Sequence, residues 1–280
     1  MRLIGLLLLM SSSVHPASVT GADGVNIHYD RYGDGETTIV FVHGWTCDRS
    51  YWREQIDAFS SGNRVIAIDL GGHGESGGDR DDWSMAAFGE DVAAVVTAED
   101  ARNVVLVGHS MGGPVVIEAA RRLGDRVRLV VAVDTLQQPS QAPYTEEQSL
   151  ELWAPFREAF APAIEGFVRQ SFFLPGAPAE IVDWVAKDMA SADAEMALAA
   201  GHALTTWNAP EGIAAISDVP FVLINADYRP TDAIGLREVH PGGRLILMSD
   251  VGHFPMLVTP GDFNQVLGDA IATTGATTPP

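Results

Sequence analysis

Ser110 stands in the run Gly108-His109-Ser110-Met111-Gly112, with a further glycine at 113. The aliphatic stretch 104–107 leads into it, and PVVIEAARRL follows. Glycine is favoured where a backbone turns sharply or another group must come close. A strand, Gly-x-Ser-x-Gly and a helix, in that order, make a strained turn that lifts the serine hydroxyl clear of a sheet edge. The helix begins within the motif, so its N-terminal dipole favours negative charge beside Ser110. These are the conditions of a nucleophile.

A serine hydroxyl is a poor nucleophile near neutral pH. It needs a base to take its proton and a third group to orient that base. Of the eight histidines, His253 is the best placed. It lies in SDVGHFPML, just past the last strand-like run and beside Gly252, and chain order puts a base there. His109 lies inside the motif with its side chain turned away from the hydroxyl. His43 and His73 lie in glycine-bordered loops and build structure. Asp134 closes the apolar run VRLVVAVD, an expensive place for an unpaired carboxylate unless a histidine partners it. An oxyanion formed on attack by Ser110 calls for two N–H donors. The Met111 N–H supplies one, and the Trp45 N–H, in the loop after His43-Gly44, supplies the other.

The elements that must position these groups are legible as alternating runs. VNIHYDR alternates as a strand, and TTIVFV, RVIAIDL, NVVLVGH and VRLVVAV are continuous apolar strands. Trp52, Ile56 and Phe59 fall at helical spacing, as do Phe88, Val92, Val95 and Val96, and Gly124 closes a third helix. This rhythm predicts a parallel sheet covered by helices on both faces, with His43-Gly44, Asp69, Ser110 and Asp134 on one edge. It stops after Leu136 and resumes with PFVLINAD, a helix near 231–240, RLILMSD and a closing helix near 260–272. Residues 137–212 carry helical patterns broken by prolines and should cover the functional edge.

HGWTCDRSYW, DLGGHGES, GHSMGGP and VGHFPML, in that order, resemble the α/β-hydrolase superfamily. The resemblance implies a mostly parallel eight-stranded sheet, an α/β fold with a helical cap inserted after the sixth strand. It implies esterase-like chemistry with Ser110 as nucleophile and His253 as base. Serine rather than aspartate at 110 separates the chain from the dehalogenase and epoxide hydrolase branches. Many relatives carry their acid in a segment similar to G-x-x-D-P. Here Asn225-Ala226-Asp227-Tyr228-Arg229-Pro230 puts Arg229 at that place, and an arginine cannot accept the histidine N–H. The acid is therefore Asp134, with Asp227 as the alternative, and position favours Asp134.

Composition narrows the partners. The formal net charge is −20, from 37 acids against 17 bases, which repels phosphate backbones and anionic membranes. The single cysteine, Cys47, allows no intramolecular disulfide, and cysteine-rich metal motifs are absent. The start, MRLIGLLLLMSSSVHPAS, has the order of a secretory leader: basic end, short apolar core, small residues. The expected organisation is a leader and N-terminal extension over 1–22, a core over 23–136 and 213–272, a cap over 137–212 and a flexible tail over 273–280. The expected location is secreted or periplasmic, with no membrane span.

The expected function is hydrolysis of a small, largely apolar ester through an acyl-enzyme, with no metal or organic cofactor. The cap aromatics Trp153, Phe156, Phe160, Phe167, Phe172, Phe173, Trp184 and Trp207 point to an apolar small-molecule substrate. A lactonase, a C–C bond hydrolase or a cofactor-free perhydrolase would use the same site. A non-catalytic small-molecule-binding protein on this fold is the alternative of another class. The oligomeric state has no signature in the sequence.

Overall fold

Strands that are apolar on both sides must be covered on both faces. In the computed structural model, which describes residues 14–274, that condition is met at the centre of the sheet. β3 (Thr38–Val42), β5 (Val104–His109) and β7 (Phe221–Ala226) are buried at every position. β4 (Arg64–Ile68) lies outside β3, and β6 (Val127–Val133) and β8 (Arg244–Met248) flank β7. With β1 (His15–Thr20) and β2 (Asn26–Tyr32) the order is β1-β2-β4-β3-β5-β6-β7-β8. The six strands from β4 to β8 run parallel, and β2 pairs antiparallel with both its neighbours.

The chain leaves β3 toward β4 on one side and returns to β5 on the other. Strand order thus reverses between β3 and β5, the place where open α/β sheets bind ligands. The loop after β3 and the turn after β5 face each other across this gap. On one face of the sheet α2 (Met85–Ala98) packs on α3 (Gly112–Leu123), which also meets α8 (Ala209–Ala214). On the other, α1 (Arg53–Phe59) packs on α11 (Pro260–Thr274) and α10 (Pro255–Val258). Ser84 caps α2 by accepting from the Ala87 N–H at 3.1 Å, and Gly124 ends α3 at φ +55°.

β1 falls within the stretch assigned from sequence to the leader and N-terminal extension. It pairs with β2 from His15↔Arg31 to Thr20↔Asn26 as an edge strand. HPASVT has a half-exposed pattern and no apolar run, so nothing in it announces a strand. The apolar core of the leader, like the end of the tail, lies outside the described residues.

Between β6 and β7 the chain builds α4 (Glu146–Arg157), α5 (Phe160–Ser171), α6 (Ala179–Ala190) and α7 (Ala194–Thr206). Thr145 and Gln148 form a capping box on α4, and Asp193 caps α7. α4 packs on α7 and α5 on α6, whereas α8 rests on the core helix α3. Three contacts tie these helices to the sheet edge. The Trp45 Nε1–H donates to Ala197 O at 2.7 Å, the Tyr51 hydroxyl to Asp188 at 2.8 Å, and the His253 N–H to Phe172 O at 2.8 Å. Among the described residues no helix is long and apolar enough to cross a membrane.

Candidate active site

Ser110 follows β5 directly and adopts φ +53°, a left-handed conformation that costs a non-glycine residue about 1–3 kcal/mol. Its N–H donates to Val133 O at 2.9 Å, and its carbonyl accepts from Gly113 at 2.9 Å. The flanking glycines make the turn possible. A Cβ on Gly108 would lie 2.1 Å from Gly112 O, and one on Gly112 would lie 2.6 Å from both Val42 O and His43 O. What approaches the serine turn is therefore the backbone leaving β3. The Ser110 side chain makes no hydrogen bond among the described residues, so its hydroxyl is uncommitted.

His253 lies just before α10, buried, with Nδ1 2.5 Å from Asp134 Oδ2. Asp134 is fully buried at the end of β6, at φ +43°. Its Oδ1 accepts from the Ala226 N–H at 2.9 Å, and Oδ2 also accepts from the Tyr228 hydroxyl at 3.3 Å. Burial, with Asp134 beside it, pushes the Tyr228 hydroxyl up, so it stays a donor. Asn225 fastens the same corner: its side chain accepts from Thr135 N at 3.1 Å and donates to Thr135 O at 2.9 Å. Asp227, the alternative acid, is exposed and accepts from Ser249 Oγ at 2.7 Å, away from the histidine. The structure brings Asp134 to His253. Ser110 and His253 border the same cavity without a hydrogen bond between them.

Neither the Trp45 N–H nor the Met111 N–H donates a hydrogen bond among the described residues. The loop carrying Trp45 is fixed by His43, whose Nδ1–H donates to Gly44 O at 2.8 Å while Nε2 accepts from Leu70 N at 3.0 Å. That arrangement needs a neutral imidazole, and burial lowers the His43 pKa to about 4. Burial and the neighbouring His43 lower His73 to about 3. Burial and His253 hold His109 well below the ordinary value, and its Nε2 donates to His253 O at 2.7 Å. Cys47 is buried in the cavity wall with its thiol pushed up by burial, so it is a packing residue.

Asp69 braces the turn after β4, accepting from Arg49 N at 2.8 Å and Glu75 N at 2.9 Å. His28, Asp69 and Glu75 place donor atoms within 4.8 Å of one another, a spacing that a metal could use. The Arg49 guanidinium already binds Asp30, Asp69 and Glu75 there, so the carboxylates have their cation.

Two recesses meet at Ser110 and His253. One, of about 290 Å³, is walled by Trp45, Trp153, Phe167, Met189 and Phe254. The other, of about 450 Å³ and the more polar of the two, mixes Thr135, Gln137, Gln138 and Gln141 with Leu136, Pro143 and Tyr144. Phe172, Leu204, Thr205 and Arg229 border both. Of the cap aromatics, Trp153, Phe167 and Phe172 reach the apolar recess, and the Phe172 ring centroid lies 4.3 Å from that of His253. Trp184 instead packs on Tyr51, Phe173 on Phe254, and Trp207 borders the polar recess while donating to Glu118 at 2.9 Å. Sequence reasoning missed Tyr228, Asn225 and the glutamine wall. The signal for the first two was their place in the segment that follows β7.

An eight-stranded α/β sheet with a serine turn, a buried histidine–aspartate pair and helices over the edge defines a hydrolase-type fold. The chain belongs to the alpha/beta hydrolase family, whose model matches residues 39–266. It is similar to a non-heme chloroperoxidase of Streptomyces lividans, 38% identical over 150 residues, covering 51% of this chain and 54% of the relative. It is also similar to a bifunctional esterase/perhydrolase of Acinetobacter calcoaceticus, 37% identical over 121 residues, covering 42% of this chain and 44% of the relative. The matches thus span about half the length of these curated relatives. A thermophilic esterase from Thermogutta terrifontis shares the fold, with TM-score 0.80 and 21% identity over 93% of this chain and 99% of that one.

Proposed function

We propose that the protein is a serine hydrolase of small, largely apolar esters. The observation that carries the reading is the buried His253–Asp134 pair, 2.5 Å apart, beside an uncommitted serine hydroxyl on a strained turn. His253 Nε2 takes the Ser110 proton as Oγ attacks the ester carbonyl. The Trp45 and Met111 N–H groups hold the oxyanion, and His253 passes its proton to the departing alkoxide. Water, activated by the same histidine, then cleaves the acyl-enzyme. Asp134, held by Ala226 and Tyr228, keeps the imidazole in the tautomer with Nε2 free. The names of the curated relatives favour one further reading, perhydrolysis, in which hydrogen peroxide replaces water in the second step.

Steady-state hydrolysis of short and medium p-nitrophenyl esters tests this. The wild type should turn over many times per chain, and Ser110→Ala should lose at least a thousandfold in kcat. A release of one p-nitrophenol per chain and no more would instead favour a binding protein that traps its ligand. From the leader-like order of MRLIGLLLLMSSS we further propose that the protein is secreted or periplasmic. Removal of a leader ahead of His15 would keep the edge strand β1. Fractionation of cells expressing the full chain, with N-terminal sequencing, tests both.

A further inference from the structure

The two recesses differ in chemistry, and Arg229 stands where they meet. The apolar recess includes Gly44 and Trp45, the loop that holds one of the proposed oxyanion donors, and does not include Asp134. The polar recess includes Asp134 and none of that loop, while Ser110 and His253 line both. With the reacting pair common to both, complementarity divides the ester: the aromatic recess suits an apolar acyl chain, and the recess with the glutamines suits a polar alcohol portion. The Gln137, Gln138 and Gln141 side chains on the polar side make no hydrogen bond among the described residues.

Arg229 is exposed, and among the described residues its one side-chain hydrogen bond runs from Nη2 to Ser171 O at 3.3 Å, with the guanidinium 5.2 Å from the Tyr228 ring centroid. Arg49, Arg80, Arg122 and Arg169 each bind a carboxylate, whereas Arg229 has none within ion-pair distance among the described residues. Asp134, the one carboxylate in the wall, already accepts from Ala226, Tyr228 and His253. The uncommitted charge at the polar recess is therefore positive, in a chain of net charge −20.

Resting on the hydrolase reading, we propose that the substrates are esters of apolar acids with short hydroxy acids, the carboxylate of the alcohol portion pairing with Arg229. The balance is simple. Ser110 Oγ bonds to the acyl carbon, the ester C–O bond breaks, and the hydroxy acid leaves with the proton from His253. Water then releases the apolar acid.

The test compares two isosteric butyrate esters, carboxymethyl butyrate and carbamoylmethyl butyrate, which differ by a carboxylate against an amide. The wild type should favour the carboxylate about tenfold in kcat/KM, mainly through KM. Arg229→Gln should bring the ratio near one, and Arg229→Lys should keep part of it. Raising the salt should shrink the wild-type ratio. A wild-type ratio of one or less, or a ratio that Arg229→Gln does not change, overturns the proposal. So does a stronger preference for monoethyl succinate, which carries its carboxylate on the acyl side. p-Nitrophenyl butyrate separates the failures. If it turns over while the ratio is one, only this inference falls; if it does not, the hydrolase reading falls with it.

Discussion

The sheet edge and the cap contribute to one cavity but hold their residues by different means. At the edge, Ser110 and Asp134 both sit at positive φ, and both Asp134 oxygens are spoken for by backbone and side-chain donors. In the cap, Trp153 packs on Trp45 with centroids 5.0 Å apart, and Phe167 packs on Phe172 at 5.0 Å. Hydrogen bonds and strained backbone admit one geometry, whereas ring packing tolerates exchange of shape at similar volume. On the proposed function, the reaction belongs to the edge and selectivity to the cap. Substitutions at the edge should abolish turnover, and substitutions in the cap should redistribute it among substrates.

The sharpest way to break that comparison is at Asp134. Asn at 134 keeps an oxygen for the Ala226 N–H but presents an amide to His253, which favours the wrong tautomer. We expect kcat to fall about ten-thousandfold in Asp134→Asn. Asp227→Asn, on the same segment but bonded to Ser249, should stay within about twofold in the same ester assay. Equal losses in the two variants would mean that the edge is not organised around Asp134.

The next effect falls on the seam between the regions. Gly252 touches the cap so closely that a Cβ there would lie 2.4 Å from Phe172 O and 3.2 Å from Phe173 Cα. Both obstacles are backbone, so the seam must open. Gly252→Val should destabilise the protein by about 1–3 kcal/mol, read by thermal or urea unfolding, and should raise KM by moving Phe172 off His253. An unchanged melting curve would show that the cap is not seated on the histidine loop.

How much of this was legible before the fold was seen follows from the range of the forces involved. The serine turn was readable because its constraint is local: glycines at 108 and 112, an apolar strand before and a helix after. His253 was readable from its place past the last strand. Which aspartate pairs with His253 stayed open because the pairing depends on contacts between β6 and the segment after β7, Ala226 and Tyr228 on Asp134, far apart in sequence. β1 was hidden because an exposed edge strand needs no apolar pattern. Arg229 was noticed only as the wrong residue for an acid. Its position at the junction of the two recesses depends on how cap helices pack, which no short window encodes.

Within the cap, Trp153→Ala tests selectivity. The indole fills the space over Gly201, where a Cβ would meet Trp153 Cζ2 at 2.4 Å, and it walls the apolar recess. Its removal should shift the ratio of kcat/KM for octanoate over butyrate p-nitrophenyl esters upward by about tenfold, while Ser110 chemistry persists. A uniform loss for every chain length would make Trp153 a structural residue of the edge rather than a determinant of the pocket.

The smallest effect is on acid stability and separates the two regions by their histidines. His43 and His73 are buried in the edge with pKa values lowered to about 4 and about 3. Well above pH 6.5 these imidazoles are neutral in folded and unfolded chains alike, and the stability of the edge is complete. As pH falls below 6.5 the unfolded chain takes up protons that the folded chain refuses, so stability is lost progressively toward pH 4 and below. Asp69 and Asp91 act in the opposite sense. Burial raises both, so the folded chain binds their protons first and regains some stability as the pH drops. The histidine contribution is isolated by His73→Asn, whose amide can keep the hydrogen bond that Nδ1 makes to Gly71 O at 2.9 Å. The fall in melting temperature between pH 7 and pH 4.5 should be smaller in this variant than in the wild type. An identical fall would place the acid sensitivity elsewhere, and would leave His73 as a packing residue beside His43 rather than a neutral strut of the edge.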